Sequence, residues 1–163
     1  MKSVIEVSPA INPAVRSLCL RPYPNHKKGC PNYGKKKGCP PDVQMFDEVC
    51  DLSSPIYAIY EVFNFREHVE RMRKKHPDWS QRQLECCLYW QPTARKELKK
   101  KIALFHGAML GITGKEYFVT DAPEAMGVNV TETMRMVGID LEWPPVSVAY
   151  KIAMAGVRRK NGN

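Results

Sequence analysis

Apolar residues fall in two rhythms along this chain, and one long stretch has neither. Residues 56–63, IYAIYEVF, are β-branched, aromatic and almost wholly apolar. That composition suits a central strand covered on both faces. Residues 3–8 (SVIEVS) and 115–120 (KEYFVT) read as further strands. Residues 146–157 (VSVAYKIAMAGV) read as a last strand, or a pair of them, beside a break at Pro144-Pro145.

Between these segments the spacing becomes helical. Val43, Phe46, Val49 and Cys50 share one face of a helix opened by Pro40-Pro41-Asp42 and ended by Ser53-Ser54-Pro55. Residues 65–76 predict a helix stopped by Pro77, and Asp78 or Ser80 caps another running SQRQLECCLYW. Pro92 opens a longer helix whose apolar stripe is Leu98, Ile102 and Phe105. Pro123 to Gly127 reads as one helical turn, and Asn129 or Thr131 caps a short helix closed by Gly138. Strands alternating with helices predict an α/β or α+β fold: a single mixed sheet with packed helices. With 163 residues, no internal repeat and no linker, one domain over 1–163 is expected.

Residues 14–41 carry no period. They are rich in Lys, Gly and Pro, and hold Cys19, Cys30 and Cys39 at the spacing C-x10-C-x8-C. A segment with so little to bury cannot order itself by hydrophobic packing. Thiolates on a shared metal or cluster supply the missing constraint. Gly29 and Gly38, each just before a cysteine, free the backbone to aim a sulfur, and Pro31 and Pro40 stiffen the exits. The whole chain has six cysteines, but no apolar leader opens it and no run approaches a membrane span. A reducing, cytoplasmic setting without a membrane is the expectation. There, clustered cysteines point to metal before disulfides. Cys86-Cys87, beside Leu84 and Leu88, reads as core packing.

Charge sharpens this picture. The formal net charge is +8, and residues 21–40 hold Arg21, Lys27, Lys28, Lys35, Lys36 and Lys37 with no acid. Basic runs at 71–75, 95–101 and 158–160 read as solvated faces. The lysines among the cysteines are different. They are expected to lower the thiol pKa values and to meet an anionic partner or substrate, RNA or DNA included, with Tyr33 and Tyr23 stacking or hydrogen-bonding.

Two metal readings follow. In one, the three cysteines hold a [4Fe–4S] cluster whose fourth iron stays open, and the protein handles sulfur or activates a substrate there. In the other, His26 completes a tetrahedral Zn2+ site that folds a basic nucleic-acid-binding module without catalysis. Cys50 is a second candidate for the fourth ligand. His68, His76 and His106 are scattered over predicted helices and read as surface or structural. No Ser–His–Asp order, phosphate-binding glycine loop or HExxH motif is present.

Cys30-Pro-Asn-Tyr-Gly-Lys followed by Cys39-Pro-Pro resembles the predicted metal-binding proteins of microbial genomes, a family with the signature C…CPxYG…CPP. Residues 123–138, PEAMGVNVTETMRMVG, look like that family's later Glu-Ala-x-Gly motif. The resemblance implies metal or iron–sulfur ligation by Cys19, Cys30 and Cys39. Members often carry further cysteines before the Glu-Ala motif. This chain has FHGAMLGITGKEYF there, which favours a single site over a multi-cluster carrier. In the second motif, Glu124 and Asn129 are candidates for acid–base and positioning roles at that site, against a helix-terminal role for Glu124.

Overall fold

Two long strands carry the architecture. In the computed structural model, which describes residues 3–22 and 27–160, β2 (Ile56–Asn64) pairs antiparallel with β4 (Val148–Val157) from Tyr57 opposite Ala155 to Asn64 opposite Val148. Short strands β1 (Val4–Val7) and β3 (Tyr117–Thr120) flank them, giving the order β1-β2-β4-β3. The expected single sheet with packed helices is present. All of its pairings are antiparallel, which places the fold on the α+β side of the two alternatives.

The helices are α1 (Phe46–Val49), α2 (Phe65–Lys75), α3 (Gln81–Leu84), α4 (Gln91–Thr113) and α5 (Val130–Arg135). Alternation along β4 divides the core into two layers. On one face, Ile152 and Met154 pack with Val7, Phe46, Met126 and Met134. On the other, Ala153 and Ala155 take the stripe of α4, Leu98, Phe105 and Met109. Small alanines let the helix lie close, and Phe105 fills the gap between Tyr57 and Tyr117, with ring centroids 5.7 and 5.5 Å away. Lys101 pins the helix to the sheet through Glu61 Oε2 and Ser3 Oγ, each at 2.7 Å.

Two predicted helices are shorter than their periodicity. The helix around residue 46 stops at Val49, because Cys50 leaves it to bridge Arg158 at the sheet edge. The run SQRQLECCLYW breaks into α3 and a 3-10 turn over Cys87–Tyr89. Trp90 is the cause. Its ring stacks on Phe63 at 5.3 Å and meets Phe65 edge-on at 5.6 Å, which pulls the chain off the helical path. Cys86 is therefore half-buried and Cys87 exposed, not the core pair expected. His68 is buried beside Phe63, and burial and Arg71 push its pKa down, so the structural reading suits it. Among the described residues, no helix is long and apolar enough to cross a membrane.

Candidate metal centre

The chain entering the cysteine segment is tied to the Glu-Ala motif before the first cysteine appears. Ile11 bridges Val128, Asn12 N–H donates to the Gly127 carbonyl at 2.7 Å, and Asn129 N–H donates to that of Ala10 at 2.8 Å. Asn12 then caps a 3-10 helix, Pro13–Leu20, by accepting from Ala14 N–H at 3.0 Å. That helix carries Cys19 and packs on the 3-10 turn Pro123–Met126, which carries Glu124. Two motifs more than a hundred residues apart thus meet.

The rest of the segment is held by backbone. Among the described residues, no side chain from Pro13 to Cys39 joins a hydrophobic cluster. Cys30 N–H donates to the Cys19 carbonyl at 2.7 Å, Gly34 N–H to that of Pro40 at 2.8 Å, and Cys39 N–H to that of Lys36 at 3.0 Å. Arg16 locks the exit: its Nη2 donates to the Pro41 carbonyl at 2.7 Å and the Val43 carbonyl at 2.8 Å. Gly29 is the tightest point. It has φ +82°, and a Cβ there would stand 2.6 Å from the Cys19 carbonyl oxygen. Gly29→Ala is therefore expected to loosen the Cys19–Cys30 contact by about 1–3 kcal/mol. The readout is faster hydrogen exchange at the Cys30 amide. Gly34→Ala is the control, with φ +66° but open space around its Cβ, and should change that exchange less.

Electrostatics ties the three thiols together. Burial pushes the Cys19 thiol above its usual pKa, Cys30, Cys39 and Glu124 push the same way, and Arg16 alone opposes them. The expected lowering by lysines is not what Cys19 shows. Lys27, Lys28, Lys35, Lys36 and Lys37 are all exposed, so water screens them, and Arg16 is the cation that reaches the thiol.

As the chain stands, no group of three or more His, Cys, Asp or Glu side chains among the described residues is arranged to hold a metal ion. The donor chemistry nevertheless suits a soft metal or an iron–sulfur cluster: three free thiols within electrostatic reach, on a glycine-punctuated loop with no core to oppose rearrangement.

The other candidates are placed as follows. His26 and Tyr23 lie outside the described residues. Tyr33 is half-buried in the loop. Cys50 is fully buried between Ile56 and Gly156, and burial raises its pKa to about 11. The charged neighbour that shifts it is Arg158, and the loop thiols are not among the causes. Asn129 caps α5, accepting from Glu132 N–H at 3.1 Å. Glu124 is half-buried, and burial raises its pKa against the opposing pull of Lys151. It acts on Cys19 as well, so the carboxyl stands between the cysteine segment and β4. Sequence reasoning missed Arg16 and Lys151. Arg16 lies outside the basic runs, and Lys151 lies within the apolar run of the last strand. No protein-family model matches this chain, and no curated protein or solved structure matches it either. The family resemblance therefore rests on its two motifs alone.

Proposed function

We propose that Cys19, Cys30 and Cys39 hold one metallocentre, a [4Fe–4S] cluster with an iron free of protein ligands, inside a basic loop that receives an anionic partner or substrate. What supports this reading is a segment without apolar packing in which Cys30 and Cys39 both push up the pKa of the Cys19 thiol, although the three side chains are not grouped as metal ligands as the chain stands. Bound there, a cluster supplies a Lewis-acidic iron. The chain's own residues do the rest. Arg16 fixes the loop exit, Gly29 allows the backbone to close on Cys19, and Glu124, half-buried with its pKa raised by burial, sits on the 3-10 turn packed against the helix that carries Cys19. The exposed lysines give the loop a positive rim that attracts anions without choosing among them.

Absorption spectroscopy tests the reading. Chain isolated without oxygen is expected to be brown, with a broad band at about 400 nm that bleaches on reduction. A colourless chain carrying one zinc replaces the cluster with the Zn2+ alternative and its nucleic-acid role. A colourless, metal-free and fully folded chain ends the metal reading altogether.

A further inference from the structure

A second candidate site lies beside the last strand, lined by none of Cys19, Cys30 and Cys39. A cavity of about 150 Å³ opens between β4, the loop before it and the start of α4, lined by Trp90, Trp143, Tyr150 and Lys151 among others. Trp90, Gln91 and Pro145 also line a larger neighbouring cleft of about 980 Å³. The smaller space admits one aromatic ring, since an apolar cavity of about this size takes up benzene. The larger one, which shares Trp90, Gln91 and Pro145 with it, leaves room for the remainder of a ligand, a second fused ring included.

Trp90 is buried, whereas Trp143 is exposed. Trp143 is fixed by its Nε1–H donating to Thr131 Oγ1 at 3.0 Å. The loop behind it is held by Glu142, whose Oε2 accepts from the amides of Val146, Ser147 and Val148 at 2.8, 2.6 and 3.3 Å. Those donors offset the charge of the one carboxylate in the small cavity. Lys151 is its one cation. It is half-buried, and among the described residues it makes no hydrogen bond or ion pair. Burial first and Arg95 next hold its pKa below the usual lysine value, against the opposing pull of Glu124, Asp121 and Cys87. Arg95 and Cys87, two of the charged or titratable groups that act on it, line the larger cleft. A half-buried lysine that lacks a hydrogen bond or ion pair among the described residues, beside three aromatic rings, suits an anion carried on a flat ring.

We propose that this cavity binds a small aromatic or heteroaromatic anion, its ring between Trp90 and Trp143 and its charged group on Lys151. The site does not depend on the metallocentre, because neither the cysteines nor the basic loop contribute to it.

The probe is 1-naphthoate, titrated into the full-length 15N-labelled chain while the indole N–H signals of Trp90 and Trp143 are followed. Saturable shifts of both are expected. Lys151→Gln should weaken binding about tenfold or more, the loss of one charge-assisted contact, and Lys151→Arg should retain it. The uncharged twin, 1-naphthalenemethanol, should bind the unaltered chain as weakly as naphthoate binds Lys151→Gln. That comparison needs no variant and guards against a misfolded one. Equal affinity for naphthoate and its alcohol overturns the proposal, as does the absence of any saturable shift. Neither result bears on metal content, so the two proposals fail separately.

Discussion

Changing any one of Cys19, Cys30 or Cys39 to serine is expected to reduce bound iron to below about a tenth of the unaltered level. Serine keeps the size and removes the soft ligand. A centre held by only three protein ligands has none to spare. The sheet should survive the change, because no described side chain from Pro13 to Cys39 contributes to the core. Circular dichroism of the variants should therefore match that of the metal-free unaltered chain, while metal analysis separates them. Cys50→Ala should behave in the opposite way, keeping iron and losing stability, since that thiol fills space beside Gly156 and Ile56. Iron retained in all three serine variants would show that the loop thiols are not its ligands.

Phe105→Ala is expected to destabilise the chain by about 3–5 kcal/mol. The ring is fully buried and packs against both Tyr57 and Tyr117, so its removal leaves a cavity where α4, β2 and β3 meet. For a chain of this size about 1 kcal/mol moves the melting temperature by about 2–4 °C, so a fall of about 6–20 °C should appear in a thermal melt. A loss below about 1 kcal/mol would mean that α4 does not dock on the sheet through this stripe.

The strands were legible because their chemistry is local. The run IYAIYEVF can do little else than form a covered strand, and β2 appears over Ile56–Asn64. The stripe of α4 was equally plain, and Leu98, Ile102 and Phe105 do face the sheet. What failed was helix length. Periodicity ran on through Cys86 and Cys87, but burial of Trp90 against Phe63 and Phe65 outweighed the local preference. The meeting of Cys19 with Glu124 was legible only as two motifs in order. The pairing of residues 10–12 with 127–129 that joins them is backbone hydrogen bonding, which leaves no residue signature. Arg16 was invisible for the same reason, since its partners are carbonyl oxygens. Lys151 sits in an apolar strand, and only the surrounding fold shows that it faces a cavity instead of water.

Native mass spectrometry of the chain isolated without oxygen tests the metallocentre most directly. The unaltered chain should carry the added mass of one [4Fe–4S] cluster, and a Cys19→Ser, Cys30→Ser, Cys39→Ser variant should appear at its bare mass with the same folded charge-state distribution. An unaltered chain that is folded and bears no inorganic mass at all would contradict the account.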